Sequence, residues 1–291
     1  MPRAASGVYA LDPAMPVLLR PDGGVQVGWD PRRAVMVRPP RGLEPTTLAA
    51  LLRSLHSPTP LADVQRWARD HGLTADDDDV AQLLDGLVGA GVATRAEPAA
   101  SDGPAASVRI HGRGPLTDLL LDALQCSGAV LSTSSYSHAA VTADTVDLVV
   151  LTDFLVADPR IVRDLHRHRV AHLPVRIRDG VGLVGPFVIP GVTSCLGCAD
   201  RHRRDRDPAW PVIAAQLRET IGIAAPAITL ATAALALSQI TRVIDAVHGR
   251  HRGGDPGPPP ALNTSLEFDV AASSLVTRHW TKHPLCLDCT P

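Results

Sequence analysis

Four of the five cysteines in this chain fall into two pairs of identical spacing, Cys195-Leu-Gly-Cys198 and Cys286-Leu-Asp-Cys289. Each C-x-x-C supplies half of a tetrahedral shell, and two halves together read as a closed four-thiolate zinc centre. Any fold for this chain must therefore bring position 195 beside position 286. A four-thiolate shell leaves no open coordination position, so the zinc is expected to be structural and not catalytic. A disulfide or a thioredoxin-like redox pair is the rival reading of such a motif. The glycine in the first turn, Gly197, and the presence of two pairs favour metal. Cys126, just beyond the apolar run Leu119 to Leu124, reads as an ordinary buried thiol.

The chain has 291 residues, enough for two domains with proper cores. Its net charge is −2 and its pI is about 6.6, which argues against bulk attraction to nucleic acid or to anionic membrane. Basic side chains are almost all arginine, and Lys282 is the only lysine. The segment Met1 to Pro16 lacks the basic start, apolar centre and small-residue site of a signal peptide. Zinc-ready thiols without an export signal imply the cytoplasm. Ile221 to Ile240 is apolar almost throughout, yet Pro226, Ser238 and Gln239 leave it short of the roughly 18 uninterrupted residues that a membrane span needs. A closely packed helix over Pro226 to Val247 is expected instead.

Residues 1–95 read as a small α+β unit. Val17-Leu18-Leu19, Val25-Gln26-Val27 and Val35-Met36-Val37 are short apolar runs separated by Pro21-Asp22-Gly23-Gly24 and Asp30-Pro31, the pattern of a three-stranded meander. Three helical stripes follow, on Leu48, Leu51, Leu52 and Leu55, on Leu61, Val64 and Trp67, and on Val80, Leu83, Leu84 and Leu87. Asp76 to Asp79 place negative charge at the start of the third helix, where the helix dipole favours it. A last strand is expected near Val92-Ala93-Thr94. Strands, three helices and a wing describe a winged helix. No Arg or Lys occurs between Asp76 and Ala93, so the third helix is unsuited to reading DNA. What remains is peptide binding, by addition of a strand at the meander's edge.

Residues 96–106 are rich in Pro, Ala and Ser and read as a linker. Residues 107–291 then follow an α/β pattern. Strands are expected at Ser107 to His111, Ala129 to Leu131, Asp147 to Asp153 and Ala171 to Ile177, with helices at Leu116 to Leu124 and Pro159 to Arg169. Such repeats build a Rossmann-like parallel sheet. A hairpin-like stretch, Gly180 to Pro190, leads into the first cysteine pair. Two strands, near Asn263 to Asp269 and Ser274 to Trp280, precede the second, after a Gly/Pro stretch from Gly249 to Pro260.

The run Gly185-Pro-Phe-Val-Ile-Pro-Gly-Val-Thr-Ser-Cys-Leu-Gly-Cys198, the strand–turn–helix at Val108 to Leu124 and the tail His283-Pro-Leu-Cys-Leu-Asp-Cys289 resemble the ThiF/MoeB-type adenylyltransferase superfamily, the relatives of ubiquitin-activating enzymes. Asp205-Arg206-Asp207-Pro208-Ala209-Trp210-Pro211 and the fused front unit are similar to the branch found with azole-forming peptide cyclodehydratases. The front domain of that branch resembles PqqD-type leader-peptide recognition elements. The resemblance implies a ThiF-type α/β fold with zinc at Cys195, Cys198, Cys286 and Cys289. It also implies pairing of two subunits through the apolar helix at Pro226 to Val247, hence a homodimer.

The family activates a carboxylate with ATP and magnesium, and several parts of that chemistry are missing. The glycine loop survives only as Gly112-x-Gly114, followed by Pro115, which has no N–H to offer a phosphate. The second strand runs into Ser132-Thr133-Ser134-Ser135, with no acid for a ribose hydroxyl before Asp144. Lys282 lies beside the zinc tail, far from a phosphate site. Asp153 matches the family's magnesium-binding Asp, although an acid at a strand's end can equally cap the next helix.

A degenerate protein is therefore expected, one that binds the leader of a ribosomally made peptide and presents it to an ATP-using YcaO-type partner. The alternative is an active adenylyltransferase in which Arg113, Arg176 or Arg178 replaces lysine. No nucleic-acid or membrane partner is expected. Arg201 to Arg206 reads as a solvated helix face. His166, His168 and His172 do not share a helical face and are expected to be exposed.

Overall fold

The first strand, β1 (Val8–Leu11), has no counterpart among the expected elements, and it organises the front of the protein. In the computed structural model, which describes residues 7–74, 77–96, 105–135, 146–248 and 258–289, two compact units are present. The first holds residues 7–96. Asp76, most of the linker, Asp144 and residues 249–257 lie outside the described residues.

In the first unit, β2 (Val17–Leu19), β3 (Val25–Val27) and β4 (Val35–Val37) form the antiparallel meander, with Leu18, Gln26 and Met36 in one row across it. The helix α1 (Pro45–Ser54) follows, with proline in its first turn, where a missing N–H costs nothing. A second sheet is built around β1. One edge is β5 (Thr59–Pro60), placed before α2 (Leu61–Asp70). The other edge, after α3 (Asp77–Gly89), is β6 (Ala93–Ala96). The wing strand therefore pairs with β1 and not with the meander. Tyr9 on β1 is fully buried, and its hydroxyl donates to Asp85 on α3 at 2.7 Å. The core joins Tyr9 and Leu11 to Leu48, Leu52, Leu55 and Leu84, so each helical stripe turns inward.

The second unit is one seven-stranded sheet. Its strands and helices in chain order are β7 (Ser107–His111), α4 (Pro115–Leu124), β8 (Val130–Ser134), β9 (Leu148–Thr152), α5 (Pro159–Arg167), β10 (Ala171–Arg178), β11 (Val181–Val184), α6 (Leu196–Arg206), α7 (Trp210–Leu217), α8 (Pro226–Val247), β12 (Thr264–Asp269) and β13 (Ser274–His279). Across the sheet the order is β13-β12-β11-β10-β9-β7-β8. Pairing is parallel from β8 to β10, and antiparallel from β10 through β13. Every residue of β9 is buried, because helices cover both faces. Leu148 and Val150 pack with α4 and α8, while Val149 and Leu151 pack with α5 and the start of α6.

Among the described residues one helix, α8, is long and apolar enough to cross a membrane. Ala233, Ala236, Ile240 and Ile244 on it are buried in the second unit's core, and Thr232 lies against Gly182 of β11, where a side chain would not fit. It packs as a core helix, and Leu230 on its outer side remains 55% exposed. Two expectations are corrected. Cys126 is exposed, because the chain has left α4 by that point. His172 is fully buried on β10, and His166 and His168 are half-buried, because β10 is an interior strand and α5 lies flat on the sheet.

Candidate functional site: the cysteine cluster and the glycine turn

Cys195 is the N-cap of α6, and its sulfur accepts the backbone N–H of Cys198 one turn on, at 3.4 Å. Cys286 and Cys289 come from the loop after β13. The Sγ–Sγ distances are 3.8 Å for Cys195–Cys198, 3.5 Å for Cys195–Cys286 and 3.6 Å for Cys198–Cys289. A disulfide needs about 2.05 Å, so these cysteines are not bonded to one another. Tetrahedral zinc with bonds of about 2.3 Å places its sulfurs about 3.8 Å apart, so the four thiols stand at the edge lengths of such a shell. All four sulfurs lie within 4.8 Å of one another. Burial pushes the Cys195 thiol well up and the Cys289 thiol up to about 12, so a bound cation must displace their protons.

The surroundings are built for this cluster. A side chain at Gly197 would meet the Asp288 carboxylate at 3.0 Å and the Cys195 sulfur at 3.4 Å, which explains the glycine. The backbone N–H of His283 donates to the Cys198 sulfur at 3.3 Å. His283 Nδ1 accepts the Leu285 N–H at 3.1 Å, so Nε2 carries the proton and donates to Asp205 at 2.8 Å. His202, Asp205 and His283 lie close enough to suggest a second metal site. With both ring nitrogens of His283 engaged, the trio instead ties the tail to α6. The pairing of Asp205 with His283 was not foreseen, since 78 positions separate them.

At the other candidate site, Gly112, Arg113 and Gly114 link β7 to α4. Gly112 packs on Thr152, whose backbone and hydroxyl fill the space a side chain would need. Gly114 has φ of 141°, and a Cβ there would lie 2.9 Å from an Asp153 oxygen. Asp153, only 1% exposed, turns its carboxylate onto the start of α4. Its Oδ1 accepts the Leu116 N–H at 3.0 Å; its Oδ2 accepts the Thr117 N–H at 3.1 Å and the Thr117 hydroxyl at 2.6 Å. Pro115 has no N–H, and the Asp118 N–H returns to the Gly114 carbonyl at 3.1 Å. No backbone donor in the first four residues of α4 is left for a phosphate. The helix that Asp153 caps precedes it in the chain.

The remaining candidates do not gather here. Lys282 donates to the Gly191 carbonyl at 3.1 Å, beside the cysteine cluster. Arg113 lies over the Phe154 ring at 5.8 Å, while Arg176 and Arg178 stand on β10. At the end of β8, the Ser134 hydroxyl is bonded to His111 Nδ1 at 2.8 Å.

No family model and no curated protein matches the sequence. Solved structures share its fold. A heterocyclase in complex with substrate and cofactor has a TM-score of 0.67 at 17% identity, covering 97% of this chain and 39% of its own. The heterocyclase TruD gives 0.64 at 16% identity, covering 97% and 43%. E. coli MccB with ATP gives 0.59 at 12% identity, covering 97% and 100%. The chain thus spans about two fifths of the heterocyclases and the full length of MccB. At these identities the likeness establishes the mixed α/β fold with its seven-stranded sheet.

Proposed function

We propose that this chain is a non-catalytic member of the ThiF-like group, which binds the leader of a ribosomally synthesised peptide and presents it to a YcaO-type cyclodehydratase. One observation carries the loss of catalysis: the Asp153 carboxylate occupies the anion-binding start of α4. With both its oxygens accepting hydrogen bonds there, it acts as a helix cap and not as a magnesium ligand. The absence of lysine from the glycine turn points the same way. The likeness to heterocyclases supports the pathway.

Leader recognition is assigned to the front unit, taken as PqqD-like. Leu18 and Met36, 38% and 50% exposed, flank Gln26 on the open face of the meander. Trp29, 80% exposed, follows β3. An apolar face beside an unpaired strand edge suits an added peptide strand, whose backbone supplies affinity and whose side chains supply specificity. The four cysteines hold a structural zinc, which fixes α6 to the tail. The exposed side of α8 pairs two copies into a homodimer, and the protein works in the cytoplasm.

The test is titration of zinc-loaded protein with ATP–Mg²⁺ by calorimetry, alongside the leader of a precursor peptide encoded beside a YcaO gene. Leader binding without ATP binding is the expected result. The likeness to MccB with ATP favours a second reading, adenylation of a peptide or carrier-protein carboxylate with Arg113, Arg176 or Arg178 in place of lysine. Carboxylate-dependent pyrophosphate release would establish it and sink the first.

A further inference from the structure

A groove of about 1030 Å³ opens on the second unit between the start of α5, the end of β10, the helices α6 and α7, and β13. Nine arginines line it against four aspartates. The whole chain carries 28 basic and 30 acidic residues, so this is a strong local field on a nearly neutral protein. Three of these arginines have partners. Arg178 and Arg278 both pair with Glu267, at 3.3 and 3.0 Å. Arg203 pairs with Asp200 at 2.8 Å and lies 5.1 Å from the ring centres of both Trp210 and Trp280.

Arg176 differs from all of these. It is only 8% exposed, faces the groove, and among the described residues makes no hydrogen bond or ion pair. Burial, with repulsion from Arg203 and Arg178 set against attraction from Asp200 and Glu267, brings its pKa down to about 10, so it stays charged at neutral pH. A buried guanidinium that makes no hydrogen bond is costly, and a ligand carboxylate could supply the bidentate contact it lacks.

We propose that this groove binds an acidic peptide segment, with one carboxylate of the segment seated on Arg176. The site goes beyond leader recognition by the front unit and does not depend on it. Its volume is at the upper end of small-molecule sites, so the occupant is extended. Leu155, Val156, Val162, Ile213 and Leu217 line the same groove, which suits a segment of mixed acidic and apolar side chains. Single-stranded nucleic acid needs free aromatic faces, and the two tryptophans here already carry Arg203. The Gly112–Gly114 turn is not among the residues that line it.

The experiment is fluorescence anisotropy of a labelled short peptide of alternating glutamate and leucine, with full-length zinc-loaded protein. Micromolar binding is expected, weakened about tenfold or more by high salt, by exchange of the glutamates for glutamine, and by Arg176→Met. Arg176→Met is also expected to raise the melting temperature of the unliganded protein, because it removes a buried guanidinium that makes no hydrogen bond. A double variant of the exposed rim, Arg163→Gln with Arg218→Gln, decides the matter independently of that residue, with a severalfold loss expected. The proposal is overturned if the glutamate–leucine peptide does not bind. It is equally overturned if both variants bind it like the wild type, or if pyrophosphate or oligothymidylate binds in preference.

Discussion

Thr117 and Asp153 stand 36 positions apart, yet the backbone N–H and the hydroxyl of the threonine both donate to a single oxygen of the aspartate, at 3.1 and 2.6 Å. The end of β9 is thereby fastened to the start of α4, with the protein's own anion at the amino end of that helix. Removing that carboxylate leaves the Leu116 and Thr117 N–H groups buried without partners. Asp153→Ala is expected to cost about 2–4 kcal/mol, read from urea unfolding. Asp153→Asn, which keeps an acceptor oxygen, should cost less. Equal stability of all three proteins would contradict the capping role.

Gly114 holds a backbone angle that side chains avoid, and a methyl there would press on the Asp153 carboxylate. Gly114→Ala should therefore destabilise by about 1–3 kcal/mol. Gly128 has a positive φ as well, but a Cβ there meets nothing within 4 Å, so Gly128→Ala should be milder. Thermal melts of the two variants compare them directly.

Elemental analysis should find one zinc per chain. Cys198→Ser is expected to lose the metal and to lower the melting temperature by more than about 10 °C, given that structural zinc contributes several kcal/mol. The same substitution at the exposed Cys126 should change neither quantity. Retention of full metal by Cys198→Ser would refute the four-thiolate site.

The imidazole of His172 is sealed inside the second unit, and burial lowers its pKa to about 4 from 6.5. Between those values the unfolded chain takes up a proton that the folded chain refuses. The residue's stabilising share is therefore complete above about pH 6.5 and lost as pH falls toward 4. The difference corresponds to about 3 kcal/mol. Urea midpoints should fall between pH 7.5 and pH 5, and His172→Gln should flatten that slope. An unchanged slope in the variant would rule His172 out as its source.

Met36 is half exposed on the meander, so Met36→Glu should leave the melting temperature within a few degrees. Binding of the leader peptide should weaken about tenfold, and Trp29→Ala should do the same. Unaltered affinity in both would move leader recognition away from this face.

Much of the architecture could be read from local patterns. Proline marks the start of α8 at Pro226, the five-residue apolar run of β9 declares a strand buried on both faces, and turn residues bracket β2, β3 and β4. The cysteine spacing announced a cluster before any contact was known. What escaped was decided by partners distant in sequence. The run Val8–Leu11 is short, and only pairing with β5 and β6 makes it the centre of a sheet. Asp153 as a magnesium ligand and Asp153 as a cap look alike until α4 is in place. Arg176 reads as one arginine among many, because its burial without a hydrogen bond among the described residues is a property of three-dimensional packing. The segment Arg201 to Arg206 likewise becomes a groove wall only once α7 and β13 stand opposite it.

The cysteine cluster closes a long loop: its two cross-pairs each join positions 91 residues apart, and α7, α8, β12 and β13 all lie between them. A cross-link of that span removes about 4–5 kcal/mol worth of chain entropy from the unfolded state. A metal ion at this cluster is therefore expected to strengthen the hold of β12 and β13, the two antiparallel strands that lie inside the loop. On chelation, amide hydrogens in β12 and β13 should exchange well before those in β7 and β9, so that the protein comes apart along a seam and not all at once.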